Sequence, residues 1–296
     1  KKLLQGLEQL TYPIEKILVF DNNSTDNTVD HLRENGFKDY RAHKNDAKKL
    51  YFANDENLGG AGGFSMAVGL AQQLDIDYLW IMDDDVLPEP DCLEKLLMQM
   101  DKTGAKVALP SREDENYTDR VCLDLDLEDH NKFWASLRKQ VAPHPLDKET
   151  YFVKDMTFEG PLMTLEVSKK VGLPDKDYFI FFDDTDYAYR LSQYTKLVYV
   201  TDAKLRRQLA GGDPDRDSAE REYTWRNYYM MRNNILFDKR YGKNWKVRHL
   251  SPTIMMAHML VLSKRNRHLK HNFPIIMKAW YDGIRGKSGK RVDPNY

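Results

Sequence analysis

The sequence predicts an α/β fold in which helices flank a mostly parallel sheet. Short apolar runs such as ILVF and YLWIM alternate with amphipathic segments such as PDCLEKLLMQM, the order that builds parallel sheets. Several runs end in polar residues, and ligands of such sheets bind beyond the carboxyl ends of the strands. With 296 residues, 41% of them hydrophobic, the chain is long enough for one large domain and an appendage.

The predicted elements follow one another closely in the first half of the chain. Leucines at helical spacing predict a first helix, which Pro13 ends. We predict strands at IEKILVF, KLYFAN, DYLWIM and KVALP. Helices are predicted at TVDHLREN, SMAVGLAQQL and PDCLEKLLMQM. Residues 111–150 are polar, and we interpret them as an irregular, mobile insert.

Charge divides the chain unevenly. Residues 239–296 contain 14 Lys and Arg against two acidic residues, a net charge of +12, while residues 1–238 carry −13. Met255, Met259 and Leu262 fall near one face of a predicted helix in this basic region. That helix either packs on the rest of the protein or lies on an anionic membrane surface, and both can hold at once.

Composition excludes several classes of protein. The sequence contains no run of 18 apolar residues, so it predicts no membrane-spanning helix. The N-terminus lacks the succession of basic, apolar and small residues that marks a secretory signal. The spacing of Cys92 and Cys122 predicts reduced thiols rather than a metal site. We expect no nucleic-acid partner, because no binding motif accompanies the acidic front. The default location is the cytoplasm, with peripheral contact to the inner face of the membrane as an addition.

Carboxylates cluster where apolar segments end. Asp21 follows ILVF, residues 83–85 are three consecutive aspartates after YLWIM, and FIFF runs into DDTD at residues 183–186. A solvated acidic loop is the simpler interpretation of one such cluster. Two clusters at the ends of strands of one sheet instead favour a divalent cation held by oxygen ligands, for which Mg²⁺ or Mn²⁺ is suited.

A glycine-rich stretch lies between the acidic clusters. The loop DENLGGAGGF contains Gly59, Gly60, Gly62 and Gly63, but not the spacing of a dinucleotide-binding fingerprint. Tight packing of a helix on the sheet explains such spacing about as well as ligand contact does. Bare backbone next to Asn57 permits close approach of a sugar or diphosphate.

Four motifs in order resemble those of the family 2 glycosyltransferases of GT-A fold. They are DENLGGAGGF, WIMDDDVLPEPD, FIFFDDTDYAYRL and RNYYMMRNN, and together they are most similar to bacterial galactofuranosyltransferases, then to rhamnosyltransferases. The resemblance covers roughly residues 1–240. It implies a Rossmann-like catalytic domain at residues 1–205, a loop or lid and connecting helix at 206–238, and a basic C-terminal helical extension at 239–296.

The resemblance also implies a role for individual residues. Asp184 matches the catalytic base, and Asp83 and Asp85 match the DxD pair that binds Mn²⁺ or Mg²⁺. The implied donor contacts are Asp21, Asn57, Gly59, Gly60, Asp83, Asp84 and Arg207. The implied acceptor contacts are Glu159, Gly160, Asp183 and Asp186.

The sequence departs from the family pattern at two places. The family's first strand should precede Lys1, and it is absent from this sequence. A metal-binding His is expected after a strand like LVYVTDA, where this chain has Arg206 and Arg207. Arginine does not ligate a metal but can pair with a diphosphate.

The resemblance implies inverting transfer from a nucleotide-sugar, most simply UDP-galactofuranose, to a lipid-linked or growing bacterial glycan. Two alternatives remain open at this point. One is a rhamnosyltransferase that uses dTDP-rhamnose. The other is a sugar-nucleotide-binding module with impaired catalysis, which the two departures favour.

Overall fold

The computed structural model describes residues 2–114, 117–208 and 222–293. It is an α/β structure with sheets flanked by helices, which confirms the predicted fold class. The first sheet is small and parallel, with β3 between β1 and β2. The elements that form this part are α1 (Lys2–Glu8), β1 (Ile17–Asp21), α2 (Thr28–Glu34), β2 (Lys38–Asp39), α3 (Tyr40–His43) and β3 (Lys49–Ala53).

The next elements carry the glycine-rich stretch and the first acidic cluster. They are α4 (Gly59–Ala71), β4 (Tyr78–Trp80), β5 (Val86–Pro88), α5 (Cys92–Thr103) and β6 (Val107–Ser111). Helix α4 begins at Gly59, whereas the sequence predicted a loop up to Phe64 followed by a helix. The glycines therefore form the first turns of α4, where Ala61 is fully buried against neighbouring elements.

The larger sheet is mixed rather than mostly parallel. It contains β9 (Thr150–Val153), β10 (Leu162–Thr164) and β11 (Leu197–Arg207), with the order β4-β10-β6-β11-β5 and β9 paired to β11. Strand β11 runs parallel to β6 but antiparallel to β5 and β9, and β10 is antiparallel to both of its neighbours. Helices α7 (Leu165–Val171) and α8 (Asp183–Leu191) pack beside this sheet.

The segment interpreted as an irregular insert has regular structure. It forms an antiparallel pair of strands, β7 (Cys122–Leu125) and β8 (Lys139–Val141), joined through the short helix α6 (Ala135–Arg138). A buried ion pair fixes it, because Arg138 Nη2 lies 2.8 Å from Asp238 Oδ2. The polar composition of this segment misled the sequence interpretation, since its charged side chains serve as internal partners.

The C-terminal region is helical, as predicted. It consists of α9 (Trp225–Tyr241), a π-helical turn at Lys246–Leu250, α10 (Ser251–Arg265) and α11 (Leu269–Ile284). Met255 is fully buried and Met259 packs against the same cluster, so the apolar face of α10 covers protein. The predicted loop or lid lies, for residues 209–221, outside the described part of the chain. Among the described helices, none has the length and hydropathy needed to cross a membrane.

Candidate active site

A short loop, residues 81–85, carries the first acidic cluster between β4 and β5. Backbone hydrogen bonds hold it on two sides: Gly160 N donates to Ile81 O (2.8 Å), and Gln208 N donates to Asp85 O (2.7 Å). The loop is therefore flanked by the segment that contains Gly160 and by the residues at the end of β11.

The carboxylates of this loop repel one another and a second cluster. Asp84 is exposed, whereas Asp83 and Asp85 are half-buried. Burial raises the pKa of Asp83 to about 7, and the negative charges of Asp85, Glu159, Asp84 and Asp184 add to this effect. Burial likewise raises the pKa of Asp85, which the nearby Arg207 partly offsets. The structure thus brings the two acidic clusters together, as the pattern of the sequence predicts.

The second cluster forms the first turn of helix α8. Asp183, Asp184 and Asp186 lie where the helix dipole favours negative charge. Asp183 is buried, and burial followed by the charge of Asp184 raises its pKa well above the usual range. Asp184 is half-buried and accepts a hydrogen bond from Thr185 N (2.7 Å). Of the three, Asp184 is the most accessible, and its charge acts on Asp83 in the loop at residues 81–85.

Asp186 lies beneath the site rather than in it. Its side chain is 0% exposed and accepts hydrogen bonds from Arg190 Nε (2.8 Å), Arg240 Nη1 (2.8 Å) and Tyr241 Oη (2.7 Å). These partners come from α8 itself and from the C-terminal end of α9. The acceptor contact expected for Asp186 does not fit this environment, because no face of the carboxylate reaches the surface.

The segment before α8 is an unusual loop, not the strand end that its apolar residues predicted. Phe179, Phe181 and Phe182 have φ angles of +67°, +63° and +70°. Bulky residues rarely adopt this left-handed conformation, and each costs about 1–3 kcal/mol. We call residues 178–182 the base loop, because the loop leads directly into Asp183 and Asp184.

The glycine-rich turn is held by a side chain that the sequence reasoning missed. Asn22 Oδ1 accepts from Leu58 N (2.9 Å), and Asn22 Nδ2 donates to Gly59 O (3.0 Å). Asn57 Oδ1 accepts from Gly59 N (2.9 Å), so this amide shapes the turn. Gly59 has φ +74°, and a Cβ there would lie 2.4 Å from Phe179 O. Glycine is therefore required at position 59 for contact with the base loop.

Two other predicted donor residues differ in accessibility. Gly60 is exposed, and a Cβ there would meet no atom within 4 Å, so packing alone does not require glycine. Asp21 is 6% exposed at the end of β1, and its Oδ1 accepts from Ser24 N at 3.3 Å. Asp21 therefore supports the turn beside Asn22, and its contact with a nucleotide stays a prediction.

Successive side chains of β11 point to opposite faces of the sheet, so Arg206 and Arg207, at the position where a histidine is expected, have different surroundings. Arg207 points toward the acidic clusters, where its Nε lies 3.1 Å from Glu159 Oε2. Arg206 points the other way, pairs with Glu89 at 2.6 Å and is 68% exposed. Arg112 also contacts Glu159, at 3.0 Å. Glu159 is thus held by two guanidinium groups, and its contact with an acceptor stays a prediction.

Two further residues, Tyr117 and Lys139, lie near the site although the sequence analysis did not predict them there. Arg207 stacks over the ring of Tyr117, with its Cζ 4.8 Å from the centroid. Lys139 of β8 forms an ion pair with Asp155, which raises the pKa of Lys139. Asp184 is near enough for its negative charge to raise the pKa of Lys139 further. Both come from the segment interpreted as a mobile insert, which explains why they were missed.

The residues present fit a divalent cation that is shared with a substrate. Crowded carboxylates at residues 83–85 keep an acid partly protonated near neutral pH, and a cation there would relieve their repulsion. Within residues 2–114, 117–208 and 222–293, no three His, Cys, Asp or Glu side chains form a metal cluster. Mg²⁺ and similar ions are commonly held by one or two carboxylates together with substrate phosphates.

Comparison with known proteins defines the class. Over 242 residues the chain is 25% identical to the galactofuranosyltransferase GlfT2 of Mycolicibacterium smegmatis. This match covers 75% of the present chain and 35% of the relative. It is 25% identical over 152 residues to GlfT1 of the same organism, covering 48% of this chain and 47% of the relative. The chain therefore spans a third to a half of the length of these relatives.

A solved structure shares the fold. The mannosyltransferase PcManGT of Pyrobaculum calidifontis, solved with GDP-Man and Mn²⁺, superposes with a TM-score of 0.53 over 96% of this chain and 83% of its own, at 15% identity. The chain thus has the GT-A fold. Residues 1–155 match the profile of glycosyl transferase family 2, and the chain belongs to that family.

Proposed function

We propose that the protein is an inverting, metal-assisted galactofuranosyltransferase that extends a bacterial surface or cell-wall glycan. The donor is a nucleotide-sugar, UDP-galactofuranose, and the acceptor is a hydroxyl of a lipid-linked or growing chain. The observation that carries this proposal is the proximity of Asp184 to the loop at residues 81–85. Asp184 lies close enough for its negative charge to contribute to the raised pKa of Asp83. Similarity to two galactofuranosyltransferases supports the choice of sugar.

Asp184 is the proposed general base. As the acceptor oxygen attacks the anomeric carbon, the bond from that carbon to the diphosphate breaks and the acceptor proton moves to the Asp184 carboxylate. Attack opposite the leaving group inverts the anomeric configuration. The half-buried position of Asp184 leaves it within reach of an acceptor, whereas Asp183 is buried and Asp186 is enclosed by arginine and tyrosine.

Asp83 and Asp85 are the proposed ligands of Mn²⁺ or Mg²⁺, and a bound ion would neutralise charge on the departing diphosphate. The mannosyltransferase with the same fold was solved with GDP-Man and Mn²⁺, which supports this choice. Arg207 supplies a second positive charge beside the loop, at the place where the family pattern expects a histidine. Asp84, Asn57, Gly59, Gly60 and Asp21 are the remaining proposed donor contacts, with Glu159, Gly160 and Asp183 on the acceptor side.

A donor panel tests the proposal. The full chain is incubated with Mn²⁺, a galactan oligosaccharide and either UDP-galactofuranose or dTDP-rhamnose, and products are identified by mass and by the anomeric signals in NMR spectra. Transfer of galactofuranose with inversion supports the proposal. Preferential transfer from dTDP-rhamnose would replace the donor, and donor binding without transfer would identify a binding module.

We also propose that the basic C-terminal helices contact an anionic membrane surface. The region that carries +12 has exposed Lys264, Arg265 and Arg267 beside exposed Val261, which is 65% accessible, and Phe273, which is 50% accessible. The opposite face of α10 packs on protein, so both interpretations of this helix are compatible. Each Lys or Arg near such a surface contributes about 1 kcal/mol, and salt weakens the attraction.

Charge reversal separates the two roles of the tail. We expect the triple variant Lys264→Glu, Arg265→Glu, Arg267→Glu to lose sedimentation with anionic vesicles at low salt while keeping its melting temperature. Reversal of three exposed lysines elsewhere, Lys148, Lys169 and Lys170, is the matched control and should retain binding. Equal binding of the wild type to neutral and anionic vesicles would contradict an electrostatic contact.

A further inference from the structure

Helix α9 contains fully buried polar side chains that the proposed reaction does not use. Arg232 and Asn233 are both 0% exposed within an otherwise apolar stretch of the helix. Buried polar groups need hydrogen-bond partners, and those partners show what the side chains hold in place. Both residues direct their donors at the base loop.

Asn233 holds the backbone of the base loop. Its Nδ2 lies 3.0 Å from Tyr178 O, 2.7 Å from Ile180 O and 3.0 Å from Phe181 O. An amide nitrogen carries two hydrogens, so three carbonyls of the loop share these two donors, and at least one hydrogen is shared between two acceptors. The phenylalanines with left-handed φ angles, Phe179, Phe181 and Phe182, alternate with or follow these carbonyls, so the restraint acts on the strained part of the loop.

Arg232 fixes the orientation of that amide. Arg232 Nε donates to Asn233 Oδ1 at 2.7 Å, which leaves the Asn233 nitrogen facing the loop. The Nη2 atom of Arg232 also donates to Tyr178 O at 2.9 Å, and its Nη1 atom donates to Gly289 O at 2.8 Å. The guanidinium thus links the segment near residue 289 to the amide and to the base loop.

The base loop in turn contacts both halves of the candidate site. Phe179 O accepts from Ala61 N in the glycine-rich turn at 3.0 Å. At the other end, Phe182 O accepts from Asp186 N and so closes the first turn of α8, which contains Asp184, at 2.8 Å. A shift of this loop would therefore move the carboxylate relative to the donor turn.

We infer that Asn233 is a positioning residue for Asp184, acting through the base loop, with Arg232 orienting its amide. This inference rests on the proposed role of Asp184 as the base. It extends the proposed catalytic unit from the first turn of α8 into the C-terminal helices. Asn233 touches no reacting atom, so its contribution is to geometry.

The neighbouring residue provides a matched control. Asn234 lies on the same turn of α9 and is 1% exposed, but its Nδ2 donates to Phe133 O at 2.9 Å, away from the base loop. Asn233→Ala and Asn234→Ala each remove one buried amide from one helix. A purely structural role predicts similar losses of activity and of thermal stability for the two variants.

The first measurement is kinetic, with the full chain, UDP-galactofuranose and Mn²⁺. We expect Asn233→Ala to lower kcat about 100-fold with donor KM within threefold, since misplacement by about 1 Å has such an effect. Asn234→Ala should keep kcat within threefold of the wild type. In an Asp184→Asn background, Asn233→Ala should cause little further loss, because residues that act as one unit are not additive. Full additivity would overturn the inference.

The second measurement needs no turnover. Hydrogen exchange of amides 178–186 should become faster in Asn233→Ala and stay unchanged in Asn234→Ala. Should Asn233→Ala fail to fold, Asn233→Gln keeps the donor on a longer arm and should show the same local change. Unchanged exchange in the folded variants refutes the inference. If the wild type transferred sugar from no donor, the proposed function would be refuted. The exchange measurement would still test whether Asn233 restrains the base loop.

Discussion

The two acidic clusters arise from the same pattern in the sequence, an apolar run followed by aspartates, yet their surroundings differ. Residues 83–85 occupy a loop between two short strands, where their main electrostatic neighbours are other carboxylates. Residues 183–186 form the first turn of α8, and the deepest of them, Asp186, has two arginines and two tyrosines as partners. The first cluster is largely uncompensated, because Arg207 offsets only part of the repulsion at Asp85, whereas the second is compensated at its base by Arg190 and Arg240.

This difference separates binding from scaffolding. An uncompensated group of carboxylates gains from a cation, so the loop at residues 83–85 suits a metal and diphosphate. A carboxylate with buried positive partners is already neutralised and suits a structural role. Asp184 lies between these extremes, half-buried and facing the loop. The variants below test whether the clusters divide their roles in this way.

The largest expected effect concerns the uncompensated loop. Asp85→Ala should abolish transfer while the melting temperature stays the same or rises, because one source of repulsion is removed. Excess chelator should abolish transfer by the wild type in the same way. Transfer is measured by product mass and folding by calorimetry. Full activity of the variant, or of the wild type in chelator, would remove the proposed role of the metal.

Asp184→Asn should give the next largest loss. The amide is nearly isosteric but cannot accept the proton, so transfer should fall about 10²–10⁴-fold with donor affinity unchanged. Steady-state kinetics and calorimetric titration with the donor measure the two quantities. Asp183→Asn, at a proposed acceptor contact, is the comparison variant and should lose less transfer than Asp184→Asn. If only the comparison variant lost activity in this manner, the base would be Asp183.

Asp186→Asn should act on folding. Its arginine partners are 25% and 45% exposed and Arg240 keeps its contact with Asp175, so the cost is that of a buried hydrogen-bond partner lost, about 1–3 kcal/mol. Arg190 and Arg240 would lose their shared carboxylate, and the free energy of unfolding in urea should fall by about that amount. Asp184→Asn, two residues away, should not lower it. Equal destabilisation by both variants would contradict the division between the clusters.

The smallest expected effect is at Arg207. Arg207→Lys keeps the charge but loses the planar contact with Glu159 and the stacking on Tyr117. We expect donor KM to rise about tenfold with little change in kcat, which corresponds to one charged hydrogen bond. Arg206→Lys is the control, since Arg206 faces Glu89 on the other side of β11. A loss at Arg206 alone would reverse the assignment.

Sequence reasoning recovered the parts of the fold in which local pattern and environment agree. β1, β3 and β6 match the apolar runs that predicted them to within a few residues at each end, and α5 follows its amphipathic pattern. The base loop was missed because an apolar run does not reveal left-handed φ angles. Glycine at residue 59 was assigned to a loop, since its place in the first turn of α4 depends on contact with Phe179.

Within the candidate site, sequence reasoning identified carboxylates but not the residues that hold them. The motif RNYYMMRNN pointed to the family, yet the roles of Arg232 and Asn233 follow only from their buried partners. Polar residues inside an apolar helix are a usable signal, because each must find a partner. Asn22 and Lys139 carried no such signal, as each sits in a segment already rich in polar residues.

The bonds from Arg232 to Gly289 and from Asn233 to the base loop have a consequence for biosynthesis. A ribosome makes the chain from its N-terminus at about 5–20 residues per second, so the segment that matches the family profile emerges before the C-terminal helices. Asn233 and Gly289 follow the base loop by some 50 and 110 residues, so the nascent loop lacks the groups that restrain it. A nascent chain therefore completes its sheets before the base loop gains these restraints. Under the proposed function, ribosome-bound intermediates should bind donor before they can transfer sugar.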